Sequence, residues 1–233
     1  MKDSAMHHSE ELIRSGTGRT KVLLRTNIIL LTALALFIFI IPVIPEKEHY
    51  LTRILLCIVV VSGLYAADFS KTAFRILSGL GVLVILATLL NLILPEASNL
   101  TVLAFLLNTG FFVMVTIALI SHVARAKKVY GSTILCAVNS YLLLGLTMSI
   151  LMLILNLVVP GSFSLGESVT GSSSEFIYFG FVTLSTLGYG DITPSTALAR
   201  SMSIFTSLLG QLYLVIIMAL IIGKFLSAKS ATD

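Results

Sequence analysis

Residues 185–191 read STLGYGD, a polar stretch that lies between two apolar runs long enough to cross a membrane. Its two glycines, Gly188 and Gly190, can adopt backbone conformations with positive φ that other residues adopt only at a cost. The stretch therefore predicts an irregular, tightly turned backbone where the flanking sequence is hydrophobic. What such a backbone does there depends on the rest of the chain.

Composition indicates that this is an integral membrane protein. Of the 233 residues, 57% are hydrophobic and 11% are charged, which is about half the charged share of a soluble protein. The charges lie in short patches between long uncharged runs, whereas a soluble helix carries charges along its outer face. The net charge of +4 therefore concerns orientation in the membrane, and we expect no nucleic-acid partner.

Six runs approach or exceed the roughly 20 apolar residues that a helix needs to cross the hydrocarbon. The second is the weakest, because the side chain of Arg53 would have to extend toward the membrane surface. The predicted spans are residues 22–44, 51–67, 74–94, 100–123, 132–159 and 196–225.

The basic residues fall mainly on one side of these spans if the amino terminus is cytoplasmic. Because cytoplasmic loops carry an excess of Lys and Arg, this arrangement predicts that both termini are cytoplasmic. The inside set is Lys2, Arg14, Arg19, Lys21, Arg25, Lys71, Arg75, Arg125, Lys127, Lys128, Lys224 and Lys229, the outside set is Lys47 and Arg53, and Arg200 lies near the predicted pore mouth.

The connection between the last two spans contains a helix too short to cross. Residues 161–174 are rich in Gly and Ser and predict an exposed loop. Residues 175–186, EFIYFGFVTLST, are apolar but extend only about 18 Å as a helix, and Ser172 and Glu175 have the spacing of a capping box. Irregular backbone after such a helix is typical of a re-entrant segment, which must be buried in protein or line a water-filled cavity.

STLGYGD could then serve as a set of backbone ligands. Alternating backbone handedness at Gly188 and Gly190 would aim successive carbonyls at one axis, with Leu187 and Tyr189 packed away from it. The carboxyl end of the preceding helix adds partial negative charge. Neutral oxygens favour a monovalent cation, since divalent ions require carboxylates. The alternative is a plain glycine turn between two helices.

TLSTLGYGD (183–191) resembles the pore signature of tetrameric potassium channels, in which rings of carbonyls replace the hydration shell of the ion. The resemblance extends through the fifth span, the pore helix and the sixth span, and includes Pro194 and Arg200. A leucine at 187 replaces the usual valine or isoleucine. The resemblance implies K⁺ binding at Thr186, Leu187, Gly188 and Tyr189, with Gly190 completing the filter.

The resemblance also implies supporting and gating positions. Tyr178 matches a tryptophan that holds the filter aspartate in some members, so we expect its hydroxyl to bond Asp191. Gly210 matches the hinge glycine of the inner helix, although close helix packing would equally require a glycine. The candidates for cavity and gate are Gln211, Thr206, Met218 and Ile222.

The predicted architecture is an all-α membrane protein with a four-span peripheral domain and a two-span pore domain. Residues 1–21 form a cytoplasmic segment, 22–128 a voltage-sensor-like domain, 129–226 the pore domain and 227–233 a short cytoplasmic tail that predicts no sensing domain. Residues 97–124 contain no Lys or Arg, so we expect no arginine-ladder gating. Because one chain supplies one filter loop, the resemblance implies a homotetramer.

The sequence thus predicts a potassium-selective channel that conducts passively, needs no cofactor, and has lipids, monovalent cations and its own copies as partners. The alternatives are a weakly selective monovalent cation channel, the translocation subunit of a potassium transporter, and a non-conducting accessory membrane protein. The sequence shows neither a paired nucleophile and base nor a phosphate-binding loop, so we expect no enzymatic activity. The compact chain favours a prokaryotic inner membrane.

Overall fold

A computed structural model describes residues 2–40, 43, 49–66, 69–93, 98–126, 129–165 and 171–230. Within them the elements are α1 (Lys2–Ile40), α2 (His49–Ala66), α3 (Lys71–Ile93), α4 (Ser98–Arg125), α5 (Gly131–Val158), β1 (Phe163–Leu165), α6 (Ser173–Leu184), β2 (Ile192–Pro194) and α7 (Ala197–Ser230). Several predicted features lie outside the described residues. They are the span ends at Ile44, Ala67 and Leu94, the charges of Lys47, Lys127 and Lys128, the domain boundary at 128, and residues 231–233 of the tail.

Among the described residues, five helices are long and apolar enough to cross a membrane by length and composition. They coincide with five of the six predicted spans, whereas α2 offers only the shorter apolar segment Arg53–Ala66. The qualifying segments are Lys21–Ile40, Lys71–Asn91, Asn99–Arg125, Gly131–Val158 and Ala197–Ser227. These helices support an integral membrane protein, and the second span remains a prediction.

Small residues let a large aromatic ring enter the packing of α2, α3 and α4. Phe111 of α4 is fully buried. Its ring lies 3.5 Å from where a Cβ on Gly63 of α2 would stand, and 3.4 Å from the corresponding point on Gly81 of α3. A methyl group at either glycine would meet this ring at ordinary van der Waals distance, so the ring fills the space beside both glycines.

A buried amide pair ties α5 to the amino-terminal helices. The Asn139 side-chain amide donates to the backbone carbonyl and to the side-chain oxygen of Asn27, at 2.9 and 3.0 Å. Asn27 in turn donates to the Ala66 carbonyl at the end of α2, at 2.7 Å. Both asparagines are fully buried, and buried polar groups of this kind require such partners. The pair therefore joins three helices through directional bonds.

Helix α6 packs against α5 with almost no space between the backbones. A Cβ on Gly180 would lie 2.9 Å from both Cα and Cβ of Ser149 and would overlap its hydroxyl. One turn earlier on α5, a Cβ on Gly145 would collide with the ring of Phe181. The Ser149 hydroxyl donates to the Gly145 carbonyl at 2.8 Å. Small side chains thus fix the position of α6.

Two short strands connect the beginning and the end of the segment between α5 and α7. β1 and β2 pair antiparallel, with Phe163 opposite Pro194. Phe163 is 3% exposed, and its ring meets those of Phe176 and Phe179 edge-on at 5.4 Å. Apart from these two short strands, the elements among the described residues are helices, as predicted. The predicted exposed loop over 161–174 is wrong at Phe163. A Gly- and Ser-rich composition gives no sign of a strand partner almost 30 residues later.

The contact between α5 and α6 predicts that Gly180→Ala destabilises the protein, whereas Gly110→Ala does not. At Gly180 the added methyl meets backbone that cannot rotate away, and overpacking of this kind costs about 1–3 kcal/mol. Gly110 in α4 has no atom within 4 Å of such a methyl. The measurement is the melting temperature of detergent-solubilised protein, followed by size-exclusion chromatography after heating. Equal melting temperatures for both variants would contradict the contact.

Candidate functional site

The short helix α6 begins where the capping-box spacing predicts. Ser172 is its N-cap residue, and the Ser172 backbone N–H donates to the Glu175 carboxylate at 2.8 Å. A carboxylate in the first turn also interacts favourably with the positive end of the helix. The helix has 12 residues and ends at Leu184, two residues before Thr186. The predicted start of this helix is confirmed.

The first backbone N–H groups after α6 bond back to its last turn. Ser185, Thr186 and Leu187 donate to the carbonyls of Phe181, Thr183 and Val182 at 2.9, 3.0 and 2.9 Å. None of the hydrogen bonds among the described residues uses the carbonyl oxygens of residues 186–190. The N–H groups of residues 185–187 are thus occupied near the helix, while the carbonyls of residues 186–190 remain available to a ligand.

The backbone of the segment alternates in handedness. Thr186, Gly188 and Gly190 have φ values of 60°, 57° and 83°, and no other described residue between 185 and 191 has a positive φ. Positive φ at the two glycines agrees with the prediction. Thr186 was not predicted to adopt it, because a β-branched residue does so only where its surroundings compensate the strain. The alternation is the geometry needed to aim successive carbonyls in one direction.

Every residue from 185 to 191 is exposed in the single chain. The side chain of Leu187 is 56% exposed and that of Tyr189 is 67% exposed. Tyr189 stacks on Tyr178 of α6, with ring centroids 6.4 Å apart and an interplanar angle of 6°. Tyr189 is therefore held by its own chain on one face only, and Leu187 presents an apolar surface with free space around it.

The structure brings Tyr178 and Asp191 together. The Tyr178 hydroxyl donates to one carboxylate oxygen of Asp191 at 2.7 Å, and the Ile192 N–H donates to the other at 3.0 Å. The hydrogen bond to Asp191 raises the pKa of Tyr178 to about 12. The same bond is the main cause of the lowered pKa of Asp191. Their role as filter support remains a prediction.

Gly210 brings the inner helix α7 into contact with the end of α6. A Cβ on Gly210 would collide with the carbonyl oxygen of Leu184 and would lie 3.1 Å from the Leu184 side chain. Close packing thus accounts for a glycine at this position, and the hinge role remains a prediction. The next residue, Gln211, donates from its side-chain amide to the Thr186 hydroxyl at 3.2 Å.

The other cavity and gate candidates do not share one environment. Thr206 is fully buried, and its hydroxyl donates to the Met202 carbonyl of its own helix at 2.8 Å. It therefore lies inside the protein rather than on the exposed face of Gln211, because it points toward the packed side of α7. Met218 and Ile222 are 54% and 50% exposed, and their spacing of seven and eleven residues from Gln211 places them on its face.

Two contacts were not predicted, one next to residues 185–191 and one at the far end of α7. After residues 185–191, the Ser195 N–H donates to the Ser162 carbonyl at 2.8 Å. At the other end of α7, the Lys224 ammonium donates to the carbonyls of Val123 and Ala124 at 2.6 and 2.7 Å. These carbonyls belong to the last turn of α4, which has no helical partner for them. A basic residue near the end of an apolar helix was the available signal.

Comparison with known proteins supports an ion-channel family. Residues 140–227 match a family model described as "Ion channel". This range includes every predicted site residue, from Tyr178 to Ile222. An ion-channel domain also supports a role that is not enzymatic.

A related segment occurs in "Two pore potassium channel c" of Oryza sativa subsp. japonica. It is 44% identical over 52 residues, which is 22% of this chain and 11% of that protein. No solved structure matches this protein. The similarity to the rice protein therefore covers only a small share of either chain.

Tyr178→Phe is expected to raise the pKa of Asp191 toward its ordinary value, because the donor that stabilises the carboxylate is lost. The pKa of Asp191 is lower in the folded protein than in the unfolded chain. The bond therefore stabilises the fold at pH values above the pKa of the unfolded chain, and this stabilisation is lost as the pH falls through the pKa of the folded protein. Carbon-13 NMR of labelled aspartate measures the titration. Tyr189→Phe is the control, and an unchanged Asp191 pKa in Tyr178→Phe would contradict the bond.

Proposed function

We propose that this protein is a potassium-selective channel that conducts K⁺ passively, with Thr186, Leu187, Gly188, Tyr189 and Gly190 as its filter. The observation that carries the proposal is the alternating backbone: positive φ recurs at every second residue from Thr186 to Gly190. A plain turn between helices needs one or two such residues and not a regular series. A series of this kind suits a row of carbonyl ligands.

The chemistry of the segment favours a monovalent cation. The available acceptors are neutral backbone carbonyls and the Thr186 hydroxyl, and the negative end of α6 lies two residues away. A divalent ion would require several carboxylates. Asp191 is bonded to Tyr178 and Ile192, and we infer that it supports the filter through the ring stack of Tyr178 on Tyr189.

The exposed backbone supports assembly from several copies. In lipid, irregular backbone is tolerated only where protein or water covers it, yet residues 185–191 are exposed in one chain. In the apolar segment of α7, 17% of the residues are buried, against 61% in that of α5. Other copies around a common axis would cover both. We propose four, by the resemblance of TLSTLGYGD to tetrameric potassium channels.

The rest of the architecture is part of the same proposal. We propose six spans, with residues 22–128 as a peripheral domain and 129–226 as the pore domain. The distribution of basic residues favours an orientation with both termini in the cytoplasm. We propose the inner membrane of a prokaryotic cell as the location. Membrane lipid and permeant cations are the further partners.

The full chain in liposomes is expected to release K⁺ down its gradient, with much slower flux when Na⁺ replaces K⁺. A proton-sensitive dye with a protonophore reports the charge movement. Gly188→Ala should reduce K⁺ flux by about tenfold or more, because alanine is strained at φ 57° by 1–2 kcal/mol in each subunit. Gly110→Ala, in an open part of α4, should conduct normally.

Each alternative predicts a different result in this assay. Equal Na⁺ and K⁺ flux would contradict selectivity and support the weakly selective cation channel. No flux from assembled protein would contradict conduction and support the accessory protein. Flux that requires a coupled ion or an energy source would support the transporter subunit.

Channel opening is expected to depend only weakly on voltage. Each elementary charge moved through the field contributes about 2.3 kcal/mol per 100 mV, and α4 carries no Lys or Arg before Arg125. Conductance measured against voltage in planar bilayers should therefore follow a shallow curve. A slope equivalent to several charges per subunit would contradict this expectation.

A further inference from the structure

The contact between Gln211 and Thr186 gives the inner helix a direct hold on the innermost residue of the proposed filter. Gly210 has no side chain, so α7 approaches the Leu184 carbonyl closely and the next residue reaches beyond the end of α6. There the Gln211 amide donates to the Thr186 hydroxyl at 3.2 Å. The contact joins side chains 25 positions apart. It is therefore a tertiary contact and not part of the backbone hydrogen bonding of a helix or strand.

Gln211 is also distinctive on its own helix face. Residues 204, 208, 211, 215, 218 and 222 of α7 follow the spacing of one face, and all six are exposed in the single chain. Five are Ile, Leu, Val or Met, and Gln211 is the polar member. An amide on an otherwise apolar face of a membrane helix is costly unless it has a partner or a function. Thr186 is that partner.

The geometry points to a consequence for ion preference. A hydroxyl oxygen has two lone pairs and one rotatable proton. An amide N–H donated to this oxygen occupies one lone pair and limits rotation of the side chain, which leaves the second lone pair for a cation. The Thr186 N–H donates to the Thr183 carbonyl at 3.0 Å, so both its backbone and its side chain are held by a hydrogen bond. Fixed ligands bind with a smaller loss of entropy than free ones.

We propose that Gln211 is a positioning residue that sets the cation preference at the inner end of the filter by fixing the Thr186 hydroxyl. The inference rests on the proposed function, since it assumes that Thr186 contacts the ion. With the hydroxyl fixed, the site has the size that K⁺ requires. Without the amide, the hydroxyl rotates and adapts to smaller ions, so K⁺ binds more weakly and Na⁺ is less disfavoured.

The first measurement is binding rather than flux. K⁺ and Na⁺ are titrated separately against the purified assembled protein, with the shift in melting temperature as the readout of ion binding. Gln211→Leu is expected to raise the K⁺ concentration at half-maximal stabilisation by about fivefold, the effect of losing one neutral hydrogen bond. The ratio of K⁺ to Na⁺ affinity should fall with it. Leu212→Met, at the neighbouring exposed position, should leave both midpoints unchanged.

A double-mutant cycle tests whether Gln211 acts through Thr186. Thr186→Val removes the hydroxyl, so Gln211→Leu should have little further effect on the K⁺ midpoint in that background. Thr186→Ser keeps an oxygen for the amide and should keep the sensitivity to Gln211→Leu. If Gln211→Leu does not assemble, Gln211→Asn replaces it, because its amide is shorter by one carbon–carbon bond of about 1.5 Å and cannot reach.

The outcomes separate this inference from the proposed function. If the wild-type protein shows no K⁺-dependent stabilisation and no K⁺ flux, the proposed function fails. If the wild type prefers K⁺ and Gln211→Leu retains its K⁺ midpoint and its preference, the inference is overturned. An equal effect of Gln211→Leu with and without the Thr186 hydroxyl also overturns it, because the residue would then act by another route.

Discussion

The segment of residues 185–191 depends on one constraint: backbone groups without hydrogen-bond partners cannot face lipid. Residues 185–191 are irregular and exposed in the single chain, and the carbonyls of 186–190 accept no hydrogen bond among the described residues. Their N–H groups are in part satisfied by the last turn of α6. The N–H groups nearest α6 are thus occupied whereas the carbonyls are available, and this asymmetry gives the segment its chemistry. It is also why a single chain in a membrane is incomplete without water, ions or further copies around these residues.

Small residues make this arrangement possible. Ser149 and Gly180 bring α5 and α6 nearly into backbone contact, and Gly210 does the same for α7 and the end of α6. The segment is consequently held at both ends. Gln211 contacts Thr186 near its beginning, while Tyr178 holds Asp191 at its end. The pairing of β1 with β2 then holds residues 192–194, which follow the segment, against residues 163–165, which follow α5.

Two sets of hydrogen bonds join the amino-terminal helices to α5 and α7. The buried pair of Asn27 and Asn139 connects α1 to α5, and Lys224 connects the end of α7 to the last turn of α4. A movement of α4 relative to α7 must therefore break the Lys224 bonds or displace α7 with it. Helix α4 thus has a mechanical connection to α7 that does not depend on an arginine ladder.

The sequence by itself determined the membrane class, five long spans, the short helix and the glycines of positive φ, because hydrophobic runs, capping spacing and glycine conformation are local properties. It also indicated Tyr178 as a partner of Asp191, through a resemblance rather than through spacing. Only the tertiary structure decided that Thr186 shares the positive φ, that Thr206 is buried, that Phe163 lies in a strand and that Gln211 and Lys224 bond distant residues. Each of these depends on which surfaces meet after the helices pack, and the residue types along the chain do not specify those contacts.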